Sequence, residues 1–452
     1  MRIIVVGCGT IGTTIIESLI SEGHDVVVVD ESPEVVAQVT NAYDTMGVSG
    51  NGVDCETLEE AQVEKAELFI SVTGSDEFNM LSCFLAKKMG AKHTIARIRN
   101  PEYNDSSLGF LRQQLDLSLS INPERLTAKE LLNVLKFPNA VNVETFSGGA
   151  CEMVELRLKE DSPLDGMKLL ELRKRYQAKF LVCAVQRGDE VYIPDGNFVL
   201  QSGDKIGLTA SPTEIQKLLK MLGILRTQVK DVMILGASRT AHYLAKMLTA
   251  NGIGVKVIEE DREECKEFCS NIPSAVVICG DCAEPELLLE EGLSSMDAFV
   301  ALTGSDEENI LLSFFANAQS VPKVISLVNR RELSSMAGKL GLDSIVSPQK
   351  MISNVITRYA RALENSVGSN VETLYKIMDG KAEALEFNVQ SDFSHLGIPL
   401  KDMKRKPNLL LAGIIRGRKT IIPSGEDVIL AGDRVIVIST EHRLQDLSDI
   451  IL

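Results

Sequence analysis

The amino-acid sequence predicts an α/β protein built as a tandem duplication: a parallel-sheet domain followed by a small α+β domain, present twice. Two observations carry this prediction. First, short segments recur about 230 residues apart. Second, in each half apolar runs alternate with helical patterns, and the spacing of apolar residues then changes to that of short strands. At 452 residues the chain is too long for one core. The predicted domains are 1–137, 138–226, 227–366 and 367–452.

The duplication is visible in segments that keep a nearly constant offset. The matched pairs are Val72–Asn79 with Leu302–Asn309, Ile193–Asn197 with Ile422–Glu426, Gly7 with Gly236, and Asp30 with Glu259. Several matches at one offset, spread over half the chain, are not expected by chance. We therefore treat the chain as one module written twice.

In the first copy, continuous Val/Ile runs alternate with helical patterns. The predicted strands are Ile3–Val6, Asp25–Val29, Leu68–Val72 and Thr94–Ile98, and the predicted helices are Thr13–Glu22 and Glu34–Ala42. Strands buried on both faces show such runs, so this alternation predicts a parallel, doubly wound sheet. A further helix is expected over 122–135.

The pattern changes from about residue 145 to 210. Short strands are expected at Met153–Leu158, Phe180–Gln186, Val191–Ile193 and Lys205–Leu208, which predicts a small α+β unit. The second copy repeats the plan with strands Asp231–Leu235, Gly254–Glu259 and Ala298–Leu302, a helix over Ser347–Leu363 and a small unit over 383–440. The helices over 122–135 and 347–363 are candidate hinges or swapped linkers.

Composition narrows the partners and the compartment. Lys plus Arg total 47 against 63 Asp plus Glu, a net charge of −16, which disfavours nucleic acid and anionic lipid. The first residues, Met1–Val6, form a strand pattern instead of a signal peptide, and no uncharged apolar run is long enough for a membrane span. A cytosolic protein without nucleic-acid binding is expected.

The nine cysteines include one cluster with spacing that resembles a zinc site, namely Cys265, Cys269, Cys279 and Cys282. Cys265 and Cys269 fall on a predicted helix and Cys279 ends a predicted strand, whereas structural zinc pairs usually occupy tight turns. We therefore favour a structural interpretation and predict no metal.

The chemistry of the first copy is carried by a glycine loop between a strand and a helix. Gly7 allows a tight turn, Gly9 allows the backbone to approach a pyrophosphate, and Gly12 allows close helix–strand packing. Asp30 ends the next strand, where a carboxylate accepts hydrogen bonds from ribose hydroxyls and disfavours a 2′-phosphate. The pattern predicts a Rossmann-like domain that binds NAD(H) or an adenine nucleotide such as ATP or ADP.

Other polar residues follow the later strands of this domain. Thr73 and Gly74 lie at the carboxyl end of the fourth strand, where parallel sheets bind ligands, although the same turn also suits a helix N-cap. Asn51, after the third strand, is either an adenine contact or a turn residue. Arg97, inside the predicted fifth strand, either neutralises phosphate or forms a buried ion pair.

The second glycine loop is altered. It reads Gly236, Ala237, Ser238, Arg239, Thr240, Ala241. Ser238 places a side chain where backbone would approach phosphate, while Glu259 retains the ribose-binding carboxylate and Arg239 offers a phosphate contact. Ser326 is expected at the position of Arg97. The two sites are therefore predicted to be unequal.

No catalytic group is evident in the sequence. The chain has five histidines, and neither His24 nor His442 is placed for hydride transfer. A nucleotide used as a signal fits best, so a non-enzymatic protein is expected. The alternatives are an NAD-dependent oxidoreductase built on duplicated Rossmann units, and a nucleotide-binding scaffold that does not switch.

The loop at 7–12, Asp30, the run Val72–Asp76, Arg97 and the small domain with Gly203-Asp204 resemble an RCK (KTN) domain. Two such units in tandem resemble the regulatory subunits of Trk-type potassium uptake systems. By this resemblance the first-copy binding residues are Gly7, Cys8, Gly9, Thr10, Ile11, Asp30, Asn51, Thr73, Gly74 and Arg97. Those of the second copy are Gly236, Ala237, Ser238, Arg239, Thr240, Glu259, Asp281, Thr303 and Gly304.

The same resemblance implies a ring, with a homotetramer as the expected stoichiometry. The ring would assemble beneath an integral-membrane potassium channel or transporter subunit and lie at the inner face of the membrane. It would respond to NAD(H), with ATP and ADP as competing ligands. Ser238 and Ser326 depart from the family pattern and put the second site in doubt.

Overall fold

The computed structural model describes residues 1–100, 103, 105–136, 140–159, 162–176, 179–223, 229–342, 344–365, 371–417, 419–440, 444 and 446–452. The predicted domain boundaries at 137/138, 226/227 and 366/367 lie outside the described residues. Those boundaries remain predictions.

The first domain is a six-stranded parallel sheet with helices on both faces. Its strands are β1 (Arg2–Val6), β2 (Asp25–Asp30), β3 (Met46–Ser49), β4 (Leu68–Ser71), β5 (His93–Arg97) and β6 (Leu119–Ile121). Its helices are α1 (Thr10–Ser21), α2 (Pro33–Tyr43), α3 (Cys55–Glu60), α4 (Asp76–Met89), α5 (Asp105–Gln114) and α6 (Pro123–Lys136). The strand order β3-β2-β1-β4-β5-β6 places a topological switch point between β1 and β4.

The second domain is a five-stranded antiparallel sheet with two helices. It comprises β7 (Ala140–Phe146), β8 (Cys151–Arg157), α7 (Leu169–Arg175), β9 (Phe180–Arg187), β10 (Glu190–Tyr192), β11 (Lys205–Ala210) and α8 (Pro212–Met221), in the order β10-β9-β11-β8-β7. β7 begins before residue 145, where the change of pattern is predicted, but it lies within the predicted domain 138–226. β7 is an edge strand paired on one side, so its sequence lacks a continuous apolar run.

The third domain repeats the parallel sheet in the order β14-β13-β12-β15-β16-β17. Its strands are β12 (Asp231–Leu235), β13 (Gly254–Glu259), β14 (Val276–Cys279), β15 (Ala298–Ala301), β16 (Lys323–Leu327) and β17 (Ile345–Val346). Its helices are α9 (Arg239–Ala250), α10 (Arg262–Asn271), α11 (Pro285–Glu290), α12 (Asp306–Ala318), α13 (Arg331–Lys339) and α14 (Pro348–Asn365).

The fourth domain repeats the antiparallel sheet with β18 (Val371–Ile377), β19 (Ala382–Asn388), β20 (Leu409–Arg416), β21 (Lys419–Ile421) and β22 (Arg434–Ser439). Its order, β18-β19-β22-β20-β21, matches that of the second domain. β18, an edge strand like β7, begins at Val371, before the pattern predicted over 383–440 but within the predicted domain 367–452. The predicted fold, two Rossmann-like domains each followed by a small α+β domain, is confirmed.

The two connecting helices are exchanged between the copies. On α6, Leu131 and Leu135 are buried in the core of the third domain together with Leu244 of α9. On α14, Ile352 and Ile356 are buried in the core of the first domain with residues of α1. Burial of apolar side chains at such helix faces dominates their stability, so neither parallel domain has a complete core without the other copy. The hypothesis of swapped linkers is confirmed by this packing.

A buried ionic network joins the far end of α14 to two other domains. The Arg361 guanidinium lies between the Glu22 carboxylate at the end of α1 and the Glu383 carboxylate of β19, and all three side chains are nearly inaccessible. Lys376 also reaches Glu22, at 3.1 Å. Burial acts to raise the pKa of Glu22, but the charges of Arg361 and Lys376 outweigh it and hold the pKa below its ordinary value.

Candidate functional site

The first cavity, of about 700 Å³, opens at the carboxyl ends of β1, β2, β4 and β5. This is the edge at which open parallel sheets bind ligands. The residues that the sequence predicts for the site and that line this cavity are Gly7, Gly9, Thr10, Ile11, Asp30, Thr73, Gly74 and Arg97. Cys8, Gly12 and Asn51, which were also predicted as site residues, do not line it. Additional lining residues are Val6, Glu31, Gly50, Gly52, Val72, Ser75, Phe78, Asn329, Pro348 and Gln349.

Each glycine of the first loop has a separate geometric role. Gly7 adopts a φ of +94°, a conformation that side-chain-bearing residues rarely take. A Cβ atom built on Gly12 would lie 1.8 Å from the carbonyl oxygen of Gly7, so Gly12 allows α1 to approach β1. A Cβ atom built on Gly9 meets no protein atom within 4 Å. The fold does not require glycine at Gly9, and the space beside it is free for a ligand.

The N-terminus of α1 keeps its donors free of a side-chain cap. Gly9 is the N-cap residue and provides no capping side chain. The first backbone N–H groups of a helix have no partner within the helix, and together with the helix dipole they attract anions. The loop therefore presents donors to a phosphate at the mouth of the first cavity.

Asp30 fixes the loop and faces the cavity. Its Oδ2 accepts a hydrogen bond from the Cys8 N–H at 2.8 Å, and its Oδ1 accepts one from the Ser32 N–H at 3.0 Å. Each carboxylate oxygen can accept more than one hydrogen bond, so both remain able to bind ribose hydroxyls. Cys8 contributes its backbone N–H to this arrangement. Burial and the charge of Asp30 raise the pKa of the Cys8 thiol to about 12, which makes the thiol structural.

A residue that sequence reasoning missed, Asn79, positions the far side of the cavity. Its buried Oδ1 accepts hydrogen bonds from the N–H and hydroxyl of Thr73, both at 2.8 Å, and from the Ser71 hydroxyl at 2.9 Å. Its Nδ2 donates to the carbonyl oxygen of Arg97 at 3.0 Å. Asn79 thus ties the ends of β4 and β5 together. The signal was available, because Asn79 lies inside the run that recurs in both copies.

Arg97 supplies the cation of the first cavity. It is the last residue of β5, whereas the sequence predicts that the strand continues to Ile98. Its Nη1 donates a hydrogen bond to the carbonyl oxygen of Thr73 at 3.1 Å. Burial lowers the pKa of Arg97, and the neighbouring charges of Arg99 and Arg239 lower it further. The nearby carboxylates of Glu124 and Asp76 act in the opposite direction, so the guanidinium lies between cations and carboxylates, with its charge at the cavity available to an anionic partner.

Asn51 has the local role of a turn residue. Its Oδ1 accepts a hydrogen bond from the Val53 N–H at 3.0 Å. The flanking residues Gly50 and Gly52 line the cavity instead. A Cβ atom on Gly52 would lie 2.4 Å from Cγ1 of Val6, so the backbone here passes close to β1.

The second copy completes the first cavity. Asn329 lies in the loop after β16, and Pro348 and Gln349 begin the swapped helix α14; all three line the first cavity. The Oε1 of Gln349 accepts a hydrogen bond from the Thr14 hydroxyl of α1 at 3.2 Å. The sequence did not indicate these residues, because they are brought to the site by the helix exchange and not by the repeat itself.

The second cavity, of about 1010 Å³, occupies the equivalent edge of the third domain. Its predicted lining residues are Gly236, Ala237, Ser238, Arg239, Glu259, Asp281, Thr303 and Gly304; Thr240 does not line it. Other lining residues are Asn100, His242, Tyr243, Lys246, Glu260, Glu264, Glu267, Asn271, Ile272, Cys282, Leu302 and Glu308. Asn100 comes from the first copy, so each cavity receives a residue from the other copy.

Part of the first site is reproduced in the second. The Oε2 of Glu259 accepts a hydrogen bond from the Ala237 N–H at 2.7 Å, as Asp30 does from Cys8. Asn309 holds Thr303 and donates to the carbonyl oxygen of Leu327 at 3.0 Å, as Asn79 does to Arg97.

These contacts correct one expectation. Asn79 donates to the carbonyl of Arg97, and Asn309 makes the same bond to Leu327, so Leu327 and not Ser326 is the counterpart of Arg97. Strand pairing agrees, because Ser71 pairs with Ala96 while the equivalent Ala301 pairs with Ser326. The second copy therefore has an apolar residue, which does not line its cavity, at the position of the guanidinium.

The cysteine cluster has no metal-site geometry. Cys265 lies on α10 and Cys279 ends β14, and their thiols donate to the carbonyl oxygens of Glu259 at 3.3 Å and Glu260 at 3.7 Å. Among the described residues, no group of three or more His, Cys, Asp and Glu side chains is placed to hold a metal ion. Likewise, no helix within the described part of the chain is both long and apolar enough to cross a membrane.

The fold and its two cavities define a class: a tandem RCK protein, with two Rossmann-like domains and two antiparallel domains. The TrkA-N domain model matches residues 3–110 and 232–348, and the TrkA-C domain model matches residues 153–223 and 385–452. The chain therefore belongs to the TrkA family.

Curated relatives match along the whole chain. The Trk system potassium uptake protein TrkA homolog of Archaeoglobus fulgidus is 30% identical over 450 residues, which cover 100% of both chains. The Trk system potassium uptake protein TrkA of Vibrio alginolyticus is 28% identical, over 98% of this chain and 94% of that protein.

Solved structures share the fold. The GsuK RCK domain has a TM-score of 0.63 at 18% identity, and the match covers 97% of this chain and 92% of that one. The GsuK channel bound to NAD has a TM-score of 0.62 at 18% identity, with coverage of 97% and 77%.

Proposed function

We propose that this protein is the cytosolic nucleotide-sensing subunit of a Trk-type potassium uptake system, that its first cavity binds NAD(H) or ATP/ADP, and that it controls an integral-membrane potassium channel or transporter subunit. The single observation that carries the proposal is the first cavity, which brings together groups that can bind a ribose and groups that can bind phosphate. Asp30 offers carboxylate oxygens to a ribose, while the uncapped start of α1 and the Arg97 guanidinium offer donors to phosphates.

Known proteins support the ligand and the system. The full-length relatives are named as Trk potassium uptake proteins, and the structurally similar GsuK channel has been solved bound to NAD and to ADP. The carboxylate of Asp30, with Glu31 beside it, disfavours a 2′-phosphate, so NAD(H) is favoured over NADP(H).

The placement of the first cavity suits a sensor better than an enzyme. Its lining residues supply backbone donors, two carboxylates and a guanidinium, and include no histidine, cysteine or lysine for proton transfer. The cavity is shared with Gln349 at the start of α14, whose other end carries Arg361 into the network with the fourth domain. A ligand that changes the position of α14 therefore biases the arrangement of the domains, which is a population shift.

Assembly into a ring is supported by two matched apolar faces. Leu81 on α4 and its counterpart Leu311 on α12 are 49% and 69% exposed, and on the neighbouring elements Phe110 of α5 and Leu340, the residue after α13, are each 63% exposed. Exposed apolar patches of this kind mark interaction surfaces. One such face on each copy allows contacts between neighbouring protomers that close into a ring, which we propose to be a homotetramer.

The test is potassium flux in proteoliposomes that contain the Trk-type membrane subunit together with this protein. We expect NADH, ATP and ADP to change the flux when the wild-type protein is present. Gly9→Leu places a side chain at the lining of the first cavity, where a Cβ atom meets no protein atom within 4 Å, and should abolish the response. Unchanged flux with every nucleotide, or an undiminished response in Gly9→Leu, would contradict the proposal.

A further inference from the structure

The two cavities keep the same element for binding a ribose. Glu259 ends β13 as Asp30 ends β2, and each carboxylate accepts a hydrogen bond from the second residue of its glycine loop, at 2.7 Å and 2.8 Å. Glu259 also accepts the Asp261 N–H at 2.8 Å, just as Asp30 accepts that of Ser32. The handle for ribose hydroxyls is therefore intact in the second cavity.

The element that binds phosphate differs at the start of the helix. Ser238 occupies the position of Gly9, and its hydroxyl accepts a hydrogen bond from the Ala241 N–H at 3.4 Å. An N-cap of this kind satisfies a donor that α1 leaves available. The Ser238 side chain also occupies the space into which Gly9 would admit a phosphate.

The charged residues of the second cavity also disfavour a phosphate, compared with those of the first. The first cavity has two carboxylates, Asp30 and Glu31, and the cation Arg97. The carboxylates of the second cavity are Glu259, Glu260, Glu264, Glu267, Asp281 and Glu308, against the cations Arg239 and Lys246. Both cations and four of the carboxylates, Glu260, Glu264, Glu267 and Asp281, are exposed, whereas Glu259 and Glu308 are half-buried. Leu327 stands at the position that Arg97 has in the first copy. A phosphate in the second cavity would face an excess of like charge.

We propose that the second cavity selects a nucleoside, a riboside without phosphate, and rejects the pyrophosphates that the first cavity takes. The proposal rests on the proposed function, in which these edges are ligand sites. It makes the protein a sensor of two chemically different ligands. The carboxylate that binds ribose is present in both cavities, whereas the groups that bind phosphate are present only in the first.

The experiment uses two matched variants of the full chain, each of which closes one cavity. Gly74 and Gly304 are equivalent residues, both line their cavities, and a Cβ atom on either meets no protein atom within 4 Å. Gly74→Leu therefore leaves the second cavity open, and Gly304→Leu leaves the first open. Adenosine, AMP and ADP are titrated into each variant by isothermal calorimetry, after thermal melting has shown that both are folded.

In Gly74→Leu protein we expect adenosine to bind at least about tenfold more tightly than ADP, and the order to reverse in Gly304→Leu protein. In the double variant Gly74→Leu/Ser238→Gly, ADP should bind at least about tenfold more tightly than in Gly74→Leu alone. The added change should itself cost little stability, because glycine is tolerated at an N-cap. Glu308→Gln, which removes one charge at constant volume, should act in the same direction.

The proposal is overturned if the second cavity binds ADP as tightly as adenosine, or binds none of the three. It is also overturned if neither Ser238→Gly nor Glu308→Gln tightens ADP binding. Failure of the proposed function is seen separately, as the absence of ADP binding in Gly304→Leu protein, where the first cavity is open.

Discussion

Replacement of Asn79 by alanine tests whether one buried side chain organises the first cavity. Asn79 is fully buried and makes hydrogen bonds to Ser71, Thr73 and Arg97. Alanine leaves the buried Ser71 hydroxyl and the Thr73 N–H without this partner, and each unsatisfied buried group costs about 1–3 kcal/mol. We therefore expect a loss of about 3–5 kcal/mol in the free energy of unfolding.

The assay pairs urea unfolding with NADH titration, and the chain provides its own control. Asn309→Ala removes the equivalent hydrogen bonds to Thr303 and Leu327, but Ala301 has no hydroxyl in place of that of Ser71, so the unfolding free energy should fall by about 1–3 kcal/mol less than for Asn79→Ala. Asn79→Ala alone should also weaken NADH binding, because Thr73 and Arg97 line the first cavity. The reasoning fails if Asn79→Ala costs less than about 1 kcal/mol, or if Asn309→Ala weakens NADH binding equally.

Four further predictions concern backbone approach, a buried ion pair, acid unfolding and thiol exposure. Gly12→Ala should lower the melting temperature and cost about 1–3 kcal/mol or more in chemical unfolding, because its Cβ would lie 1.8 Å from a loop carbonyl oxygen. Arg361→Met should lower the free energy of unfolding by about 3–5 kcal/mol, because it removes the buried guanidinium that pairs with both Glu22 and Glu383. The depressed pKa of Glu22 means that its stabilisation is present above its ordinary pKa of 4.5 and is lost as pH falls through the lower folded-state value; Glu22→Gln should therefore flatten acid unfolding curves. Exposed Cys279 should react with iodoacetamide at pH 8 while buried Cys183, whose pKa burial raises far above its usual range, stays unmodified, as mass spectrometry of the native protein would show.

The parts of the structure that follow from local chemistry were predictable. The strand–glycine–helix pattern and the carboxylate at Asp30 identify the first cavity because each depends on residues close together in the sequence. The repeat of Val72–Asn79 likewise placed the equivalent edge of the third domain. It also contained Asn79, whose role was missed because an asparagine in the first turns of a helix is locally unremarkable and its partners lie on two strands.

The counterpart of Arg97 was misplaced for a simple reason. The offset between copies is about 230 at Thr73 and one residue less at Asp30, so a residue is inserted between these points in the second copy. The smaller offset, found at Asp30, gives Ser326 as the counterpart of Arg97. Hydrogen bonding and strand register give Leu327. Gln349 could not be foreseen at all, because only the exchange of α14 between copies brings it to the first cavity.

The most direct test of the central claim is NADH binding to the wild-type protein and to Gly9→Leu, followed by nicotinamide fluorescence. The Cβ atom of a leucine at position 9 meets no protein atom within 4 Å, so the variant should stay folded, with a small fall in melting temperature for the loss of a glycine N-cap, and it should not bind NADH. The account predicts saturable binding of NADH by the wild type and none by Gly9→Leu. Equal binding by the two proteins would contradict the assignment of the first glycine loop as the nucleotide site.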